Sequence, residues 1–90
     1  MSALTVTVVR AAACHLCDDA EEALADAADH APIEVTLVEA DSDAGMELVG
    51  RHRPASFPLV LVDGQFFSQG RLPRGKLRAL LAARAEVSPR

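Results

Sequence analysis

The segment ALTVTVVRAAACHLC, residues 3–17, decides the predicted fold. β-Branched residues alternate along its first half, which predicts a strand over 3–9. Its second half places Cys14 and Cys17, the only two cysteines in the 90 residues, at the head of an Ala-rich segment. Thiols at this spacing can meet across one helical turn, where one can attack a disulfide and the other can resolve the product. The segment therefore predicts a redox dithiol between a strand and a helix.

The residues that follow predict a βαβ unit. A helix is expected over 15–30, ending before Pro32, with a thin apolar stripe formed by Ala20, Leu24, Ala27 and Ala28. Apolar residues then alternate with Glu34 and Thr36 over 33–37, which predicts a second strand. A crossover of this kind is right-handed and makes the two strands parallel.

The middle of the chain predicts a short helix and a buried strand. Ser42 can cap the helix, and Gly50 with the basic residues after it is typical of a helix end before Pro54. The aliphatic run at 59–62 is typical of a strand that is covered on both faces.

The last third predicts a hairpin and a final helix. Asp63-Gly64 is a strong two-residue turn signal, and 66–68 would return as an antiparallel edge strand. Pro73 suits the first turn of a helix that buries Leu77, Leu80 and Leu81. The predicted order is β-α-β-α-β-β-α, an α/β fold whose four-stranded mixed sheet is flanked by helices, in a single domain over 1–90.

Composition limits the functional classes. No apolar stretch approaches the roughly 20 residues that span a bilayer, and the first ten residues do not resemble a secretory signal. We therefore expect a cytoplasmic protein without membrane contact, where paired cysteines are more often catalytic or metal-binding than structural. The net charge of −4 argues against nucleic acid as a partner.

The charge is unevenly distributed. Residues 1–64 carry three basic and twelve acidic side chains (net −9), whereas 65–90 carry six basic and one acidic (net +5). The basic part is either a solvated helix face or an anion site formed by Arg71, Arg74 and Lys76.

The position of Cys14 favours thiolate chemistry. Unpaired N–H groups at a helix start stabilise a thiolate, so Cys14 is expected to titrate below a free thiol, whereas Cys17 would lie deeper and stay protonated. His15 either adds to this effect as an imidazolium or simply faces solvent. The acidic residues that follow act in the opposite direction where they point toward the thiol: Asp18, Asp19, Glu21 and Glu22.

The cysteines have two alternative uses. They could be inert buried thiols, or they could bind zinc. A structural zinc site needs four ligands, and His30 and His52 are far from the cysteine pair in the sequence, so no metal site is expected.

Three linked features resemble the glutaredoxin-like branch of the thioredoxin superfamily. They are a Cys-x-x-Cys that opens the first helix, a Pro that begins the third strand and a Gly between the last strand and the last helix. The resemblance covers residues 3–84. Cys-His-Leu-Cys followed by an acidic, Ala-rich helix is similar to a family of small bacterial glutaredoxin-like proteins.

The resemblance implies a thioredoxin-like fold and roles for particular residues. Cys14 would be the attacking thiol and Cys17 the resolving thiol, with His15 beside them. Pro58 would match the family's cis-proline, and the backbone of Ser56 and Phe57 before it would pair with substrate, the bulk of Phe57 narrowing the groove. Gly70 and Arg71 stand where such proteins hold a small thiol.

The expected function is that of a thiol-disulfide oxidoreductase that reduces protein or low-molecular-weight mixed disulfides. It would need no metal or organic cofactor, and a thiol such as glutathione or an equivalent would be a co-substrate. An external thiol or a thioredoxin-reductase-type enzyme would restore the dithiol of a monomeric protein. The alternatives are an adaptor or redox-sensor module with little turnover, and a cluster-binding protein that uses Cys14 from two subunits.

Overall fold

A computed structural model describes residues 3–87 of the chain. The elements are β1 (Leu4–Arg10), α1 (His15–Ala28), β2 (Ile33–Glu39), α2 (Asp43–His52), β3 (Leu59–Val62), β4 (Gln65–Gln69) and α3 (Arg74–Val87). This order confirms the predicted β-α-β-α-β-β-α arrangement.

The four strands form one mixed sheet in the order β2-β1-β3-β4. β1 and β2 are parallel, and β3 is antiparallel to both of its neighbours, β1 and β4. Leu59, the first residue of β3, pairs with Val9 on one side and with Gln69 on the other. The end of β1, the start of β3 and the end of β4 therefore meet at one end of the sheet. Cys14 follows the end of β1, Pro58 directly precedes β3, and Gly70 directly follows β4.

Two apolar cores cover the two faces of the sheet. The larger core joins α1 and α3 to one face through buried residues: Leu4, Val6, Val8, Ala20, Ala23, Leu24, Val60, Phe67, Leu72 and Leu77. On the opposite face, Leu48 and Val49 of α2 pack against a smaller core of Val9, Leu59 and Leu61. Leu4, Val6 and Val8 of β1 lie in the larger core and Val9 in the smaller one, because successive residues of a strand point to opposite faces.

The apolar stripe of α1 is mostly as predicted. Ala20 and Leu24 are fully buried, and Ala27 packs against the larger core. Ala28 is exposed, so its predicted burial was wrong. The helix ends there, two residues short of the predicted boundary, because the chain turns at Asp29 before it reaches Pro32.

Local capping fixes α2. The Ser42 hydroxyl accepts a hydrogen bond from the Gly45 N–H at 3.0 Å, which confirms the predicted cap. The helix ends within the basic residues that follow Gly50, as the sequence predicted. α2 continues to His52, and Arg53 closes it in the left-handed region with a φ of 48°.

The predicted hairpin is present between β3 and β4. Asp63 and Gly64 both have positive φ, 51° and 83°, as a type I′ turn requires. β4 is longer than the predicted 66–68, and its pairing with β3 is interrupted by a bulge at Phe67. β2 is likewise two residues longer than predicted because it pairs with β1 up to Glu39. Within residues 3–87, no helix has the length and apolar character needed to cross a membrane.

Candidate active site at the Cys14–Cys17 disulfide

Cys14 and Cys17 form a disulfide at the start of α1, with their Cα atoms 5.2 Å apart. Cys14 is the N-cap residue in an extended conformation, and its Sγ accepts a hydrogen bond from the Cys17 N–H at 3.1 Å. Cys14 is half-buried, whereas Cys17 has no exposed surface. An incoming sulfur can therefore approach Cys14, whereas Cys17 is shielded.

A short loop brings Cys14 from the end of β1 to the helix start. Ala13 lies within it at a φ of 51°, in the left-handed region that few residues other than glycine adopt. Nothing in the sequence pointed to this conformation, because Ala13 belongs to an ordinary alanine run. The turn places the sulfur of the next residue at the N-terminal N–H groups of α1.

Ser56, Pro58 and Gly70 lie together at the same end of the sheet. The Phe57–Pro58 peptide bond is cis, as the family resemblance implied. Pro58 is buried, and its carbonyl accepts a hydrogen bond from the Gly70 N–H at 3.0 Å. Gly70 has a φ of 73°, and a Cβ built on it would lie 2.8 Å from the Ser56 Oγ. Both the conformation and the close approach therefore favour glycine at this position.

The Phe57 side chain is half-buried and packs against the smaller core under α2. This packing accounts for the large side chain directly before the cis-proline. The side chain of Phe57 is used in this packing, so the backbone of Phe57 is the part that stays a predicted substrate contact.

The three cations near the last helix do not gather into one anion site. Arg74 pairs with Asp19 of α1 at 2.7 Å. The Lys76 ammonium donates to the Phe67 carbonyl at 2.6 Å and lies 4.7 Å from the centre of its ring. Arg71 is exposed and makes no ion pair with any residue of 3–87. Of the predicted cluster, Arg71 is the one cation that has neither an ion pair nor a side-chain hydrogen bond within the described residues.

Three of the four acidic residues after Cys17 are paired, which the sequence analysis missed, and the fourth, Glu22, is exposed. Arg10 at the end of β1 contacts Asp18 at 3.1 Å and Glu21 at 3.3 Å, and Asp19 contacts Arg74 of α3. These pairs lower the net negative charge around the disulfide. His15 is exposed on the first turn of α1, in line with the solvent-facing alternative.

A cleft of about 270 Å³ lies beside the loop that leads to Cys14. It is lined by Arg10, Ala11 and Ala12 from that loop and by Glu39, Ala40 and Asp41 from the turn after β2. Neither cysteine lines this cleft. In the described part of the chain, no three His, Cys, Asp or Glu side chains lie close enough to hold a metal ion.

Comparisons with known proteins identify the fold. No protein-family model matches the chain, and no curated protein matches its sequence. An uncharacterized thioredoxin-like protein from Clostridium perfringens superimposes with a TM-score of 0.71 at 11% identity, over 91% of this chain and 71% of that one. A mutant thioredoxin from Halobacterium salinarum NRC-1 gives a TM-score of 0.69 at 17% identity, over 98% of this chain and 80% of that one.

The chain therefore has a thioredoxin-like fold, as the sequence predicted. At the start of the first helix of this fold, Cys14 and Cys17 form a Cys-x-x-Cys disulfide.

Proposed function

We propose that this protein is a glutaredoxin-like thiol-disulfide oxidoreductase whose Cys14/Cys17 dithiol reduces protein or low-molecular-weight mixed disulfides. The observation that carries the proposal is the asymmetry of the disulfide. Cys14 is half-buried at a helix N-cap, and Cys17 is fully buried one turn along the same helix. A purely structural disulfide needs no such difference.

The reaction is a pair of thiol-disulfide exchanges. The Cys14 thiolate attacks one sulfur of the substrate disulfide, and the other substrate sulfur leaves as a thiolate that takes up a proton. The Cys17 thiol then loses its proton and attacks the Cys14 sulfur, which releases the second substrate thiol. The substrate gains two electrons, and the protein is left with the Cys14–Cys17 disulfide.

The geometry at Cys14 supports its role as the attacking group. The Cys17 N–H already donates to the Cys14 sulfur, and the positive end of the α1 dipole lies at the same point. Both favour a negative charge on that sulfur. The sulfurs themselves carry the electrons, so the reaction requires no metal or organic cofactor.

Substrate would bind beside Cys14, at the end of the sheet that carries the cis-proline. In this proposal the backbone of Ser56 and Phe57 before Pro58 pairs with the substrate, and Gly70 with Arg71 holds the anionic part of a small thiol. Glutathione or an equivalent thiol would then be a co-substrate in a cytoplasmic, monomeric enzyme. An external thiol or a thioredoxin-reductase-type enzyme would restore the dithiol.

Single cysteine replacements test the mechanism. Cys14→Ser should reduce the turnover of a small mixed disulfide to background, because the attacking sulfur is absent. Cys17→Ser should accumulate a mixed disulfide at Cys14, visible by mass spectrometry as the added mass of the substrate thiol. Circular dichroism of each variant checks that it remains folded.

Full activity in Cys14→Ser would reject the mechanism. A folded wild-type protein that reduces neither insulin nor a small mixed disulfide would instead support the adaptor or sensor alternative. A redox titration against glutathione, and against thioredoxin with its reductase, identifies the electron donor.

A further inference from the structure

Arg10 lies between two carboxylates of α1, next to the redox pair. Its guanidinium contacts Asp18 at 3.1 Å and Glu21 at 3.3 Å. Arg10 Nε and Glu21 Oε2 face each other and are both shielded from solvent. Shielded charges interact more strongly than exposed ones, so this pair has more effect than a typical surface ion pair.

The position of these carboxylates makes their charge important. Asp18 directly follows Cys17, and Glu21 lies one turn further along α1. A negative charge near a cysteine disfavours its thiolate, which opposes the effect of the helix N-terminus. The positive charge of Arg10, at the end of β1, offsets the negative charges of these two carboxylates.

The surrounding elements carry other charged groups. α1 contributes His15, Asp19 and Glu22, and α3 contributes Arg74, which pairs with Asp19. The segment after β4 contributes Arg71, and the cleft rim contributes Glu39 and Asp41. Among them, Arg74 already neutralises Asp19. Arg10 stands out because it contacts two carboxylates at once.

We propose that Arg10 is a positioning residue of the redox pair, which compensates the charges of Asp18 and Glu21 so that Cys14 forms its thiolate. The inference rests on the proposed function, since it assigns a role to the Cys14 thiolate. Arg10 does not touch the reacting sulfurs in this scheme and acts through the two carboxylates.

Arg10→Gln tests the proposal, because it removes the charge and keeps a polar side chain. At one pH unit below the wild-type midpoint, the alkylation rate of Cys14 should fall about two- to five-fold, the order of effect expected when one unit charge near a thiol is removed. The rate should be unchanged at high pH, where Cys14 is fully thiolate. At a pH above the Cys14 midpoints of both the wild type and Arg10→Gln, the variant should also have a more negative reduction potential. A two- to five-fold loss of thiolate stability corresponds to about 10 to 20 mV, at about 30 mV for each tenfold change.

Three further variants separate charge from structure. Arg10→Lys keeps the charge but not the planar contact with both carboxylates, so its pH profile should stay near that of the wild type. The triple variant Arg10→Gln/Asp18→Asn/Glu21→Gln removes the positive charge together with the two negative charges that it offsets. Its pH profile of Cys14 alkylation should therefore return to that of the wild type. Arg84→Gln also removes one positive charge, but it pairs with Asp63 near the start of β1 and should leave the profile unchanged.

The proposal is overturned if the Arg10→Gln profile superimposes on that of the wild type, or if Arg10→Lys shifts as far as Arg10→Gln. These measurements report the thiol directly and need no turnover. A protein without reductase activity would therefore still give a clear result for Arg10, and the failure of the proposed function would be recognised separately in the activity assay.

Discussion

Cys14 and Cys17 belong to one motif but have different surroundings. Cys14 is half-buried at the N-cap of α1, and its sulfur accepts a backbone hydrogen bond. Cys17 is fully buried and packs below it. The difference follows from helix geometry, because Cys14 caps the open end of α1, whereas Cys17 lies one turn inside the helix on the same face as the buried Ala20 and Leu24. Two chemically identical thiols thus acquire separate roles from position alone.

Arg71 is the residue with which we test recognition of an anionic thiol. It is exposed, and no residue of 3–87 forms an ion pair with it. Arg71→Gln should raise KM about two- to five-fold for an anionic mixed disulfide, which corresponds to an exposed ion pair of about 0.5 to 1 kcal/mol. Steady-state kinetics with the mixed disulfide of glutathione and 2-mercaptoethanol gives this value.

Two controls accompany this measurement. The neutral bis(2-hydroxyethyl) disulfide should show no change in KM with Arg71→Gln. Arg78→Gln removes the same charge from an exposed position of α3 and should affect neither substrate. An equal effect of both variants on the anionic substrate would indicate a general charge effect and would remove the specific role of Arg71.

The β3–β4 hairpin shows how one residue can serve both a turn and a tertiary contact. Asp63 adopts the left-handed conformation that the turn needs. Its carboxylate also accepts a hydrogen bond from the Thr5 N–H at 3.1 Å and pairs with Arg84 at 3.1 Å. These two contacts connect the turn to β1 and to α3.

Both contacts favour the charged form of Asp63. The Thr5 N–H and, second, the Arg84 guanidinium hold the pKa of this carboxyl below its usual value of 3.8. A carboxyl with a lowered pKa stabilises the fold above the pKa of the unfolded chain, and this contribution is lost as the pH falls through the folded pKa. The effect is small because the side chain is 47% exposed.

Asp63→Asn isolates the charge, since Asn-Gly also forms type I′ turns and its amide oxygen can still accept from Thr5. The variant should unfold at lower urea than the wild type at pH 7, and the difference should disappear at a pH below the folded pKa of Asp63. Asp26→Asn, at an exposed position of α1, is the matched control and should show no such pH dependence. A difference that stays constant from pH 7 into acid would contradict the assignment.

Local signals predicted most elements of this fold. The Ser42 cap and the Asp63-Gly64 turn depend on neighbours within a few residues, so the sequence contains all that is needed to recognise them. Helix and strand ends were less accurate. α1 was expected to run to residue 30 and ends at Ala28, whereas β2 was expected to end at 37 and continues to Glu39 because it pairs with β1.

Long-range contacts at the site could not be predicted in the same way. The acidic run after Cys17 was expected to oppose thiolate formation, and its pairing with Arg10 and Arg74 depends on how β1 and α3 pack beside α1. The packing of Phe57 under α2 depends likewise on the sheet position of β3. Each of these contacts joins elements that are separate in the sequence.

The two faces of the sheet contribute unequally to the whole molecule. The core under α1 and α3 has ten buried residues, all apolar, whereas the core under α2 has three. Leu24 of α1 is fully buried in the larger core, and Leu48 of α2 lies half-buried at the edge of the smaller one. Because apolar burial is the dominant favourable contribution to folding, the face that holds α1 should supply most of the stability.

The same chemical change at the two leucines tests this difference. Leu24→Ala should lower the free energy of unfolding by about 2 to 5 kcal/mol, a large fraction of the roughly 5 to 15 kcal/mol typical of a small domain. Leu48→Ala should cost less than about 2 kcal/mol, since solvent fills part of the space that it vacates. Urea unfolding of the oxidised protein at pH 7 measures both. Equal losses in the free energy of unfolding would contradict this prediction and would show that the two cores stabilise the sheet to the same extent.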